Sequence, residues 1–268
     1  MNAIPRIGFG TYRHVGDVAY RSVTNALEIG YRHIDTAEMY GNEREVGKAI
    51  VASKLKRDEI WITTKVSPEH LGPGQMLPHA KASLERLGLE KVDLLLIHWP
   101  SSGDRYVADD YLAQLANVHA LGLATYIGVS NFTKKYIDVA LRILGKQAIT
   151  TNQVECHVLL QNRPIVDYCK QHNIPITAYC PLARGHLSEN AGLVAITAKY
   201  QATVEQVGLA FLLAEEHIVI PSSTNRSRIQ SNWDAQKVTL SAEDIISIRK
   251  LDQNRRLVDG AWCPKWDQ

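Results

Sequence analysis

Apolar and polar positions follow two rhythms along this chain. Short β-branched or aliphatic runs recur at Ile7-Phe9, Arg32-Ile34, Ile60-Val66, Val92-Trp99, Ala124-Val129, Thr150-Glu155, Pro175-Tyr179 and His217-Ile220. The first seven begin 25 to 32 residues apart, and the eighth begins 42 residues after the seventh. Between them, apolar residues fall three and four apart, the spacing of a helix with one buried face. Examples are Val18-Ser22-Val23-Ala26-Leu27, Val46-Ala49-Ile50, Leu112-Leu115-Val118 and Ile137-Ala140-Leu141-Leu144. Gly30, Gly88, Gly122 and Gly145 stand where such helices should stop. The long interval before the eighth run holds Leu193-Lys199 and Val204-Glu215, a broken or double helix, and Ser227-Ala235 and Ala242-Leu251 follow that run.

Strands separated by crossovers of this length run parallel. Eight such units in 268 residues fit an α/β chain folded as a (β/α)8 TIM barrel, whose usual size is about 250 residues. A doubly wound sheet would usually place a GxGxxG loop after its first strand. Here Gly8-Phe9-Gly10-Thr11-Tyr12-Arg13 lacks the third glycine, and no Walker loop is present. The expected organisation is a single domain over residues 1–268, with a short N-terminal cap and a C-terminal tail over the barrel mouth.

Composition narrows the function. Lys plus Arg number 30 against 28 Asp plus Glu, a formal charge of +2, and the basic residues are scattered. Neither a nucleic-acid partner nor a membrane surface is expected from that balance. No apolar run reaches the roughly 18–20 residues of a membrane span, and Met1-Arg6 carries no signal-peptide core. Cys156, Cys169, Cys180 and Cys263 form no CxxC pair and read as buried thiols of a reducing compartment. A cytoplasmic protein is expected.

A barrel gathers its functional side chains where strands end, at the C-terminal face. The residues at or just past the predicted strands are Thr11-Tyr12, Asp35, Lys65, His98, Ser130-Asn131, Gln153 with Glu155, Tyr179 and Ser222-Ser223. A buried lysine is costly unless paired, and Asp35 lies one strand away from Lys65. Tyr40 follows Asp35 by five residues and can return over the same mouth. Each alone reads as packing, capping or a structural ion pair; four on three successive strand ends read as chemistry. No metal site is expected, because the ten histidines are dispersed and form neither HExxH nor HxH. Gly128-Val129-Ser130-Asn131-Phe132 fails the GxSxG elbow at its last position, so Ser130 is no nucleophile. Asp109-Asp110 and Glu215-Glu216 read as solvated helix faces, and Trp61 as packing.

Six blocks then resemble the aldo-keto reductase family, in family order and nearly end to end. They are Gly8-Phe9-Gly10-Thr11-Tyr12; Arg32-His33-Ile34-Asp35-Thr36-Ala37 with Tyr40-Gly41-Asn42-Glu43; Ile62-Thr63-Thr64-Lys65; Asp93 to Pro100; Ile127 to Phe132; and Ala178-Tyr179-Cys180-Pro181-Leu182. The short N-terminus and the compact region after Leu182 are similar to the bacterial 2,5-diketo-D-gluconate reductase B type. The resemblance implies a catalytic tetrad of Asp35, Tyr40, Lys65 and His98. It implies nicotinamide contacts from Ser130, Asn131 and Gln153, with Tyr179 stacked on the ring. Gly10, Thr11, Asp35 and Leu182 fall among the cofactor-binding positions, and Ser222, Ser223, Arg228 and Asn232 match the adenosine-phosphate segment. Many members carry Lys where this chain has Ser222, and Arg226 could partly stand in for that charge. The family's N-terminal hairpin is cut short, which would leave the barrel bottom less covered.

The implied reaction is hydride transfer between NADPH and a small carbonyl compound, catalysed by a monomer. Tyr40 would be the general acid, and His98, neutral, would orient the carbonyl oxygen. Tyr12, Trp99, His98 and Tyr40, with Trp262 or Trp266, would form the substrate pocket. A lysine ammonium about 4 Å away, at an effective dielectric near 20, favours a phenolate by roughly 4 kcal/mol. Lys65 is therefore expected to lower the Tyr40 pKa from about 10, by up to about 3 units, less the opposing effect of Asp35. The alternatives are a Schiff-base lyase or aldolase using Lys65, which needs a neutral amine, and a non-catalytic cofactor-sensing subunit of the same fold.

Overall fold

The computed structural model describes residues 4–145 and 148–267. Met1-Ala3, part of the N-terminal stretch read above, lie outside the described residues. Eight strands form one sheet in sequential order, every neighbouring pair parallel: β1 Phe9–Gly10, β2 His33–Asp35, β3 Trp61–Val66, β4 Val92–Ile97, β5 Ala124–Ser130, β6 Ile149–Glu155, β7 Ile176–Tyr179 and β8 Ile218–Val219. A parallel bridge between Ile7 and Val219 closes the sheet into a barrel, with the Gly8 amide donating to the Val219 carbonyl at 2.8 Å. Each predicted strand is present. The first and last shorten to two residues, and the seam between them is also held by the Val219 amide donating to the Arg6 carbonyl at 2.9 Å and the Gly10 amide to the Pro221 carbonyl at 3.0 Å.

Helices α1 Gly16–Ile29, α2 Glu43–Ala52, α3 Met76–Leu87, α4 Ala108–Ala120, α5 Lys134–Leu144 and α6 Arg163–Gln171 fill the first six crossovers. Most of the periodic apolar positions face inward: Val23, Ala26 and Leu27 of α1 and Ile137 and Ala140 of α5 are buried, whereas Val18 is exposed and Leu141 and Leu144 are half-buried. The α3 helix stops at Gly88, whose φ of 67° lets its amide turn back to the Leu84 and Glu85 carbonyls. A residue with Cβ would be strained in that left-handed conformation. The expected double helix is α7 Ala191–Thr197 and α8 Val204–Ala214; α9 Arg226–Asp234 and α10 Ala242–Arg249 follow β8.

The strand faces divide the core. Trp61, Leu94 and Leu96 pack together at the lower end of the barrel, and Ile4 and Tyr126 lie against them. Trp61 stacks on Tyr126 with ring centroids 5.3 Å apart. No strand precedes β1 among the described residues, so what lies against this cluster is Ile4 and the Tyr126 ring. Outward-facing residues join the inner helix faces in a second, larger apolar layer.

Two further expectations change. Glu215 is not solvated: its side chain is 7% exposed and joins Arg163, at the start of α6, to Arg249 of α10. Cys156 and Cys169 are buried as expected, whereas Cys180 and Cys263 are half-buried free thiols. The C-terminal tail does cross the mouth. The amides of Leu257 and Val258 donate to the buried Glu155 carboxylate at 2.7 and 2.9 Å, which pins the segment above β6. No helix among the described residues is long and apolar enough to cross a membrane.

Candidate active site

Register brings the charged pair together. Asp35 ends β2 opposite Thr63, and Lys65 sits two residues further along β3. Flanking residues on both strands are buried, so neither side chain reaches bulk water. Lys65 Nζ donates to Asp35 Oδ1 at 2.5 Å, to the Thr36 carbonyl at 2.8 Å and, more loosely, to the Tyr40 hydroxyl at 3.5 Å. Its side chain is 0% exposed. The second Asp35 oxygen accepts from Gln153 Nε2 at 2.7 Å.

Tyr40 ends a single 3-10 turn, Glu38–Tyr40, that carries the chain from β2 back over the mouth. Asn42 fixes this return. Its buried amide donates to the Thr11 and His14 carbonyls and accepts from Thr36 Oγ1 at 2.7 Å. The Tyr40 ring lies edge-on to His98, centroids 5.5 Å apart, and 5.2 Å from the Tyr12 ring. His98 directly follows β4, its amide bonded to the Val66 carbonyl. All four tetrad positions therefore converge.

Burial dominates the electrostatics. It pushes the Tyr40 phenol well above its ordinary pKa, and the Asp35 carboxylate pushes it further the same way. The expected downward shift is overturned: Lys65 reaches Tyr40 only loosely, and Asp35, 2.5 Å from Nζ, offsets its charge. Desolvation also lowers the Lys65 pKa, opposed by Asp35. For His98, burial and then the Lys65 ammonium depress the imidazole far below 6.5, so it is neutral. Its Nδ1 is buried without a hydrogen-bond partner among the described residues.

Above this cluster opens a cavity of about 600 Å³. Gly10, Thr11 and Tyr12 line one side with Asp35 and Tyr40, and His98 and Trp99 line another. Ser130, Asn131 and Gln153 contribute a polar patch, and Tyr179 and Leu182 border it; Ser222 stands at the far end. The patch is pre-organised: Ser130 Oγ donates to the Gln153 carbonyl at 2.8 Å, and the Tyr179 hydroxyl to Asn131 Oδ1 at 2.8 Å. Gly10 permits the close approach of β1 to β8, since a Cβ there would lie 2.9 Å from the Ile220 carbonyl oxygen.

Three expected cofactor positions stand apart from the cavity. Ser223 and Arg228 flank the start of α9, with Arg228 exposed and its guanidinium free of hydrogen bonds and ion pairs among the described residues; Asn232, one turn beyond, is buried. Arg226 does not stand in at Ser222. Its guanidinium is held by Glu28 at 2.6 Å and Asn25 at 2.5 Å, while Ser222 bonds to His14. Trp262 lines the cavity, whereas Trp266 packs edge-on against Trp99 beneath Arg256.

A model of the Aldo/keto reductase family matches residues 6–253. The methylglyoxal reductase DkgB of Escherichia coli O157:H7 is 44% identical over 99% of this chain and 100% of its own length. The chain belongs to the aldo-keto reductase family. A 9,11-endoperoxide prostaglandin H2 reductase of Trypanosoma cruzi is 38% identical over 95% of the chain and 90% of its own. Among solved structures, an aldo-keto reductase from a Medee basin deep-sea metagenome library superposes with a TM-score of 0.90 at 39% identity, covering 96% of this chain and 94% of that one. A candidate 2,5-diketo-D-gluconic acid reductase B does so at 0.93 and 32%, covering 99% and 94%. This aldo-keto reductase is accordingly an oxidoreductase of small carbonyl compounds, of a family that uses a nicotinamide cofactor.

The residues present fit such a cofactor. Amide and hydroxyl groups suited to a carboxamide lie beside Asp35, an aromatic ring borders them, and the cavity continues towards the α9 end of β8. Several residues of this arrangement went unassigned in the sequence. Glu155 is the clearest, a carboxylate inside a β-branched strand whose only legible signal was its place at a strand end. Met39, Arg13, Arg184 and Val258 also line the cavity and carried no signal of their own.

Proposed function

We propose that this chain is a monomeric, cytoplasmic, single-domain reductase that uses NADPH to reduce small polar aldehydes and ketones, with 2-oxoaldehydes and keto-sugar acids as the substrate class. The observation that carries the reading is the buried Lys65, anchored to Asp35 and turned towards Tyr40 beneath a cavity that His98 lines. The named reactions of the similar bacterial proteins, on methylglyoxal and on 2,5-diketo-D-gluconic acid, support the substrate class. Four free thiols suit a reducing compartment.

When bound, the nicotinamide supplies the hydride and the protein supplies orientation and charge. Neutral His98 donates a hydrogen bond that orients the carbonyl oxygen in the cavity. Tyr40 donates its proton as negative charge grows on that oxygen. The phenol is protonated and available to donate, and the developing alkoxide is the stronger base. Lys65 then faces the tyrosinate left behind, and Asp35 keeps Lys65 charged and aimed. Tyr12, Trp99 and Trp262 give the substrate side its apolar walls.

The Schiff-base reading loses its basis. Lys65 Nζ is spent on three acceptors and does not line the cavity. For the 2′-phosphate, the proposal rests on Ser222, Ser223 and Arg228, with Asn232 behind them on α9. The test is NADPH consumption with methylglyoxal and 2,5-diketo-D-gluconate, in parent and Tyr40→Phe protein. Removing the transferable proton should lower kcat by roughly 10²–10⁴-fold while cofactor affinity holds. A Tyr40→Phe kcat within about threefold of the parent, with chemistry limiting, refutes the assignment; no turnover by the parent refutes the function.

A further inference from the structure

Three ligating side chains meet on the barrel rim, outside the cavity. Glu38 comes from the turn that ends in Tyr40, His70 from the turn Pro68–His70 after β3, and His79 from the first half of α3. One carboxylate receives both rings. His70 Nδ1 lies 3.1 Å from Glu38 Oε2 and His79 Nδ1 lies 2.5 Å from Glu38 Oε1. The two imidazoles are stacked almost parallel, 13° apart, with centroids 3.4 Å apart. One nitrogen from each ring and one carboxylate oxygen all lie within 4.8 Å of one another.

We propose that Glu38, His70 and His79 form a site for one divalent transition-metal ion of the zinc class. Two imidazoles and a carboxylate are the donors such an ion prefers, whereas calcium and magnesium take oxygen ligands. Ligands on a tetrahedral zinc stand roughly 3.4 Å apart, at bond lengths of about 2.0–2.1 Å. Reaching that arrangement requires the stacked rings to tilt until both ring nitrogens point at one ion. Each imidazole is 32% exposed, which leaves room for water as the fourth ligand, while Glu38 is 11% exposed. The Ser67 amide donates to Glu38 Oε2 at 3.0 Å and orients the carboxylate as outer partners of metal ligands do. On binding, each Nδ1 proton gives way to the metal and a neutral ring carries its proton on Nε2. The ion would tie the Tyr40 turn, the loop after β3 and α3 together, so it acts on stability and is no participant in carbonyl reduction.

Chelator-treated protein titrated with zinc chloride in a calorimeter tests this, with cobalt(II) substitution giving a visible spectrum. One equivalent of zinc should bind, and cobalt should show the absorption of a tetrahedral nitrogen–oxygen site. His70→Gln and His79→Gln should each weaken binding by about tenfold or more, while His172→Gln, at the C-terminal end of α6, leaves it unchanged. Zinc at a hundred times its Kd should raise the parent Tm by roughly 5–10 °C, and should not raise it in the two variants. The cobalt spectrum of the parent decides the matter even if a variant folds poorly. The proposal falls if the parent binds no saturable equivalent, or if both variants bind as the parent does. It also falls if the variants lose stability equally with and without zinc, which would make the cluster a hydrogen-bonded clamp alone.

Discussion

Lys65→Met removes a fully buried charge and little volume, so its effect isolates the ion pair beneath Tyr40. In the parent, Nζ satisfies Asp35 Oδ1 at 2.5 Å and the Thr36 carbonyl at 2.8 Å, with neither carboxylate nor ammonium open to water. The variant leaves a buried carboxylate whose remaining side-chain donor is Gln153 Nε2. Removing one partner of such a pair costs about 3–5 kcal/mol. For a chain this long, with about 2–4 °C per kcal/mol, Tm should fall by roughly 6–20 °C. Asp35→Asn should cost a similar amount, because it strands the ammonium. The double variant replaces both charges by neutral groups and keeps an oxygen for Gln153. Its loss should therefore be at least about 2 kcal/mol smaller than the sum of the two singles. Urea unfolding followed by circular dichroism, at neutral pH and without cofactor, measures all three. NADPH turnover should be nearly abolished throughout, since the double variant recovers stability without recovering the charge beside Tyr40. Single losses below about 1 kcal/mol, or additivity within about 0.5 kcal/mol, would refute the view that each charge is there because the other is.

With the Tyr40 pKa raised and that of His98 depressed, both stay neutral across pH 6–8, so single-turnover carbonyl reduction should be flat there; alcohol oxidation, which needs the phenolate, should rise with pH. An inflection in the reduction profile between pH 6 and 8 would contradict this. His33 and His217 are buried with pKa values near 4, below the unfolded value of about 6.5. Their contribution is present above pH 6.5 and is lost as pH falls towards 4, because the unfolded chain takes up the protons first. Unfolding free energies from urea melts at pH 7 and pH 5 should differ by about 2 kcal/mol for each histidine, and His33→Gln should shrink the difference. Arg228→Ala should weaken NADPH by about 1.5–3 kcal/mol and leave NADH unchanged, whereas Arg226→Ala, already held by Glu28, should alter neither preference. Fluorescence titration of both cofactors checks it, and equal losses for the two cofactors with Arg228→Ala would remove Arg228 from the 2′-phosphate.

Much of the site was legible because a barrel converts order along the chain into order around a ring. Asp35, Lys65 and His98 stand at the ends of consecutive strands, and parallel register alone brings them to one mouth. Tyr40 could be placed near the mouth from its distance to Asp35, but its role as general acid came from the family resemblance. Glu155 was visible as a strand-end acid but not as the anchor of a tail a hundred residues later, because that contact is made by the Leu257 and Val258 amides, which every sequence possesses. Glu215 was misread for a related reason: its partners Arg163 and Arg249 lie on α6 and α10, and nothing local distinguishes a buried acid from a solvated one.

Periodicity determined the elements, because burial of one face imposes a spacing of two on strands and of about 3.6 on helices wherever they occur. The strand count and the lengths of the crossovers then led to a parallel barrel. Family blocks assigned the tetrad its positions. Tertiary structure alone decided the electrostatics and the couplings between distant loops. Lys65 was expected to lower the Tyr40 pKa, but desolvation and Asp35 raise it, and desolvation depends on what surrounds a side chain in three dimensions. Glu38, His70 and His79 lie as much as 41 residues apart, on three different elements, so no motif announces them. Their convergence follows from how the loops fold over the rim, and that is a property of distance in space that no spacing along the chain encodes.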